Sequence, residues 1–72
     1  MDISLVIPVY NEEESLVPLM EWVARVMTEN GFSYEAIFVD DGSTDGSWTV
    51  VTQLRERYPE VRGIRFRRNY GK

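Results

Sequence analysis

Two continuous apolar runs, Ser4-Leu5-Val6-Ile7 and Ala36-Ile37-Phe38-Val39, constrain this chain most, because each ends in polar residues and a helical pattern lies between them. Apolar runs rich in β-branched residues and lacking polar alternation carry the signature of parallel strands covered on both faces. Pro8 is expected to close the first, since proline has no N–H to give a ladder; the second reaches from Tyr34 to Asp40. Parallel strands need a crossover rather than a hairpin. Leu16, Val17, Leu19, Met20, Val23, Val26 and Met27 supply it, spaced as one apolar stripe of a helix. Ser15 is placed to cap that helix, with Pro18 in its first turn and Gly31 at its stop.

The pattern then repeats. Asp41-Gly42-Ser43-Thr44-Asp45-Gly46 is a loop of residues that accept left-handed backbone angles or cap helices. Trp48, Val51, Leu54 and Tyr58 mark a second amphipathic helix that Pro59 closes. From Val61 the chain alternates, Ile64 and Phe66 on one side and Arg65 and Arg67 on the other, as a third strand with one face less covered. Strand, helix, strand, helix, strand with right-handed crossovers predicts an α/β fold, the β-α-β-α-β half of a doubly wound parallel sheet of Rossmann-like type, with strand order 3-2-1.

Composition narrows the chemistry. A chain of 72 residues holds one small domain, and folding at this size buries only ~60% of the surface of the unfolded chain. Cysteine and histidine are both absent, which removes disulfides, most structural zinc sites, Ser/His/Asp and Cys/His triads and any histidine base. The apolar stretch from Ile3 to Val9 is too short for a membrane span and does not match a signal peptide. The net charge of −4 hides a split: residues 1–60 carry all 12 acids, whereas residues 61–72 carry Arg62, Arg65, Arg67, Arg68 and Lys72 and no acid.

In open α/β sheets ligands lie beyond the carboxyl ends of the strands, which directs attention to Pro8 to Glu12 and to Asp40 to Asp45. A dinucleotide needs a glycine-rich first loop, but here three glutamates, Glu12 to Glu14, satisfy the helix dipole and repel a diphosphate. No Gly-Lys-Ser/Thr sequence exists, so a P-loop is excluded. The Asp40-Asp41 pair suits sugars and bases, since a carboxylate accepts hydrogen bonds from ribose hydroxyls, a pyrimidine imide or the N–H groups of guanine. Adjacent strand residues point oppositely, so one aspartate caps the following turn, and Asp41 is the ligand candidate. Asp45 is expected to cap the second helix. Tyr10 can lie against a base or pack in its loop, Glu12 is near enough to the crevice to reach ligand, and Glu13 and Glu14 read as a solvated first turn. Trp22 and Trp48 are expected to pack. Outward arginines at 65 and 67 guard an edge strand. The terminal Arg67 to Lys72 places cations where phosphates could meet them, while the acidic remainder opposes nucleic acid.

Ser4 to Glu14, read as SLVIPVYNEEE, and Val39 to Gly46, read as VDDGSTDG, together resemble the opening of family 2 inverting glycosyltransferases of the GT-A type, over essentially the whole chain. Arg68-Asn69-Tyr70-Gly71-Lys72 is similar to a stretch in the members that transfer sugars to polyprenyl phosphates, the dolichyl-phosphate mannosyl and bactoprenol glucosyl transferases among them. The resemblance implies nucleotide contacts for Pro8, Tyr10, Glu12 and Asp41, with Val39 lining the pocket through its backbone. It implies a UDP- or GDP-sugar donor and, in the sub-group, a lipid-phosphate acceptor. Residues 1–72 would be the first, incomplete, nucleotide-sugar-binding part of the transferase domain, cytoplasmic, in a parent associated with membrane through later segments. No Asp-x-Asp occurs, so the divalent cation, Mg or Mn, is expected only in the full-length protein and none in this chain, no catalytic residue is expected here, and the chain alone is expected to transfer no sugar. A self-standing, non-catalytic α/β module that binds a nucleotide or a protein is the alternative. As a fragment, the chain leaves strand one without its other neighbour and is expected to dimerise or exchange elements through that free edge, the alternative being a poorly folded fragment.

Overall fold

The computed structural model describes residues 2–66. β1 (Ile3–Val9), α1 (Glu13–Glu29), β2 (Tyr34–Asp40), α2 (Ser47–Arg57) and β3 (Val61–Arg65) follow in that order. The strands form one parallel sheet with β2 in the middle, the neighbour order expected from the sequence.

Two crossovers of one hand lay both helices over the same face of the sheet. Leu5, Ala36 and Val61 share one register row on that face, and Ile7, Phe38 and Gly63 share the next. Leu16, Met20 and Val23 of α1 and Val51 and Leu54 of α2 join Ala36, Phe38 and Val61 in a single buried core. Gly63 lets α2 approach closely, because a Cβ there would stand 3.0 Å from Val51 Cγ1 and 3.1 Å from Trp48 Cη2.

The opposite face corrects the expectation of strands covered on both sides. Val6, Ile37 and Arg62 form one of its rows and Pro8, Val39 and Ile64 the next. No layer covers these rows among the described residues: Val6 is 67% exposed, and Ile64 and Phe66 are nearly half exposed. Burial therefore alternates along β2 although its sequence does not. Arg65, expected to point outward, lies on the helix side with its guanidinium 5.6 Å from the Trp48 ring centroid, an attraction of cation to ring face.

Proline positions also differ from expectation. β1 runs through Pro8 to Val9. Ile3 N–H donates to Ser33 and Val9 C=O accepts from Asp41, so the odd-numbered residues of β1 face β2 and Pro8 turns its missing donor to the free edge. α1 starts at Glu13 with no side-chain cap from its flanking residue Glu12, which puts Pro18 inside the helix rather than in its first turn. Lacking an N–H, it leaves the Glu14 carbonyl without a helical donor. Trp22 is 54% exposed rather than packed. Gly31 does stop α1: its φ is 70°, its N–H reaches Thr28 C=O at 3.2 Å and Phe32 N–H reaches Met27 C=O at 3.0 Å, the paired bonds of a Schellman end.

Candidate functional site

The carboxyl ends of β1 and β2 are tied by Asp41 N–H donating to Val9 C=O at 3.1 Å. From there the chain leaves β1 as Tyr10-Asn11-Glu12 and leaves β2 as Asp41 to Gly46. The two aspartates separate as opposed strand positions must. Asp40 is 0% exposed, and its Oδ1 accepts the N–H of Ser43 at 2.8 Å, closing an Asx turn. Its Oδ2 is enclosed and has no hydrogen-bond partner among the described residues. Asp41 is exposed.

A set of hydrogen bonds then joins the loops. Asn11 takes a left-handed φ of 51°, which asparagine tolerates better than most residues. Its N–H donates to Ser43 Oγ at 3.0 Å, and its Oδ1 accepts the N–H groups of Thr44 at 2.8 Å and Asp45 at 3.3 Å. Glu12 N–H donates to the Ser47 hydroxyl at 2.8 Å. That hydroxyl, on a fully buried residue, in turn donates to Asp45 Oδ1 at 2.6 Å. Asp45 also accepts Ser47 N–H at 2.9 Å, so it caps α2 as expected, one residue ahead of the first flanking position. The Ser47 hydroxyl bond leads the interactions that hold the Asp45 carboxyl below its ordinary pKa, with the N–H groups of Ser47 and Glu13 adding to it and burial opposing. Glu13, expected to be a solvated first-turn acid, instead accepts Gly46 N–H at 2.8 Å.

All five residues expected to contact nucleotide stand at this end of the sheet. Pro8 and Val39 are register partners on the open face. Tyr10 is 59% exposed. Glu12 is exposed and its Oε1 accepts Tyr10 N–H at 3.3 Å. An open hollow of about 310 Å³ lies beside them, lined by Asn11, Glu12, Glu13, Glu14, Ser15 and Asp45. Glu12 alone of the five belongs to it. Its acids would repel phosphate, so the exposed end of the sheet, not this hollow, is the better place for a nucleotide.

Among the described residues no group of three or more Asp or Glu side chains is arranged to hold a metal ion, and Glu13 and Asp45 already spend oxygens on main-chain N–H groups. The basic stretch Arg67 to Lys72 lies outside the described residues. Sequence reasoning did not single out Asn11, Ser43 or Ser47. They appear as ordinary turn formers, and nothing in local spacing marks a bond to a loop on the next strand.

Comparison with known proteins decides between fold relatives. Residues 4–72 match the family model described as glycosyl transferase family 2. The chain belongs to this family. Its relatives include the undecaprenyl-phosphate 4-deoxy-4-formamido-L-arabinose transferase of Photorhabdus laumondii, 45% identical over 71 residues, covering 96% of this chain and 22% of the relative. The dodecaprenyl-phosphate galacturonate synthase of Rhizobium johnstonii is 39% identical over 72 residues, covering 99% of this chain and 21% of the relative. The bactoprenol glucosyl transferase of Shigella phage SfV is 36% identical over 72 residues, covering all of this chain and 24% of the relative. These names agree with the sub-group resemblance in the sequence. The chain spans between a fifth and a quarter of the length of these relatives.

Proposed function

We propose that this chain is the nucleotide-recognising segment of an inverting glycosyltransferase, and that the longer protein carrying it moves a sugar from a UDP- or GDP-sugar to a polyprenyl phosphate. One observation carries the reading: exposed Asp41 stands at the end of the central strand beside Asp40, which is buried and bonded to its own turn. A carboxylate at this position offers acceptor oxygens to a base or ribose. The Tyr10 ring, exposed on the adjoining loop, offers a face for the base. Pro8 and Val39 form the apolar floor between them, and Glu12 reaches the ribose.

The acidic start of α1 directs the diphosphate away from that helix. Displacement at the anomeric carbon with inversion requires a base on the acceptor side and charge neutralisation on the leaving diphosphate. The described residues assemble neither, so the chain alone recognises nucleotide and transfers nothing. A magnesium or manganese ion, expected in the longer protein only, would supply that neutralisation. Among the described residues no helix is long and apolar enough to cross a membrane, so membrane association would come through other segments.

Calorimetric titration of the chain with UDP and with GDP tests the reading. Saturable binding of either, weakened about tenfold or more by Asp41→Ala, supports it; a hydrogen bond to a charged group contributes ~1.5–3 kcal/mol. Binding that Asp41→Ala leaves unchanged sinks the assignment. Sugar transfer by the unaided chain would refute its inactivity.

A further inference from the structure

We propose that Asn11 is the positioning residue of this site: it touches no ligand, yet it sets nucleotide affinity by locking the loop after β2 onto the loop after β1. The inference rests on the nucleotide reading above and deepens it. Three of the residues assigned to ligand, Tyr10, Glu12 and Asp41, are chain neighbours of a residue held fast. Tyr10 and Glu12 flank Asn11, and Asp41 follows buried Asp40. The fixed residues are joined to one another: Asp40 Oδ1 takes Ser43 N–H at 2.8 Å, Ser43 Oγ takes Asn11 N–H at 3.0 Å, and Asn11 Oδ1 returns to Thr44 N–H at 2.8 Å.

Asn11 bonds the other loop through both its main chain and its side chain. A left-handed φ of 51° at Asn11 accompanies this two-point grip. Asparagine and aspartate tolerate that angle and carry an acceptor oxygen, glycine tolerates it without one, and alanine has neither advantage. Tyr10 and Asp41 lie on separate loops, so their spacing depends on this contact together with the bond from Asp41 N–H to Val9 C=O at the strand ends. A spacing error of even a fraction of an ångström at such a contact weakens both contacts to a base at once.

The experiment compares the chain with Asn11→Gly and Asn11→Asp, using uridine and guanosine as uncharged probes so that the added carboxylate meets no phosphate. NMR titration gives affinity, thermal melts give stability, and hydrogen exchange gives protection of the Thr44 and Asp45 amides. The proposal expects Asn11→Gly to melt close to the wild type, lose protection at those two amides and bind nucleoside about tenfold more weakly, with Asn11→Asp restoring protection and affinity together. Equal affinity in all three proteins overturns it, as does an affinity loss in Asn11→Gly that Asn11→Asp does not restore although amide protection returns. If the wild type binds neither nucleoside nor UDP and GDP, the nucleotide reading falls and the positioning role falls with it. If it binds UDP or GDP but Asn11→Gly binds them equally well, only the positioning role fails.

Discussion

Glu13 and Asp45 cap each other's helices: Asp45 Oδ2 accepts the main-chain N–H of Glu13 at 3.4 Å, while Glu13 Oε1 accepts the N–H of Gly46, the residue before α2, at 2.8 Å. Both helices thus begin in one shared clamp of carboxylates and N–H groups, at the end of the sheet proposed to hold the nucleotide.

The clamp predicts a defined acid sensitivity. The Ser47 hydroxyl and N–H, with the N–H of Glu13, lower the Asp45 pKa in the folded state. A depressed carboxyl contributes stability that is present above the ordinary aspartate pKa and is lost as pH falls through the lowered folded value. Denaturant unfolding of the wild type and Asp45→Asn, from about pH 6 to about pH 2, should show a gap in stability that closes at the acid end. A gap of constant size across the range would contradict this.

Phe38 is the largest side chain in the fully buried set. Phe38→Ala should cost ~3–5 kcal/mol, a large part of the total of roughly 4–11 kcal/mol expected for a chain of this length. Loss of a cooperative thermal transition is the predicted outcome. Phe66→Ala, on the open face, should shift stability by less than about 0.5 kcal/mol in the same assay. Similar losses at both positions would show that the open face is part of the core.

Self-association is the third expectation. β1 pairs only with β2 among the described residues, and its free edge presents the N–H groups of Ser4 and Val6, with Pro8 contributing none. Exposed Val6 joins this edge to the apolar open face. Unpaired edges and apolar patches both favour a second copy. Sedimentation should give a concentration-dependent dimer that Val6→Lys weakens. A monomer at high concentration would count against the edge.

Much of this architecture was legible in the residues. The bounds of β2, Tyr34 to Asp40, follow from its apolar run and flanks, and the strand order follows from two crossovers of one hand. Asp40 and Asp41 divided as strand alternation requires. What escaped was tertiary. An apolar run states that a strand can be buried on both faces, not that a second layer is supplied, so Val6 was read as covered and is not. Pro8 was read as a terminator because the direction of its missing N–H depends on which neighbour the edge has. Asn11, Ser43 and Ser47 act across loops brought together only by the pairing of β1 with β2, and local spacing carries no trace of that.

The central claim is that nucleotide sits at the ends of β1 and β2, and NMR mapping of the chain during titration with UDP and GDP tests it most directly. The account predicts saturable shifts centred on the amides of Tyr10, Glu12 and Asp41 and on Val39, with Trp22 and Phe32 unmoved. Shifts centred instead on the hollow at Glu14 and Ser15, or no saturable shifts with either nucleotide, would contradict it.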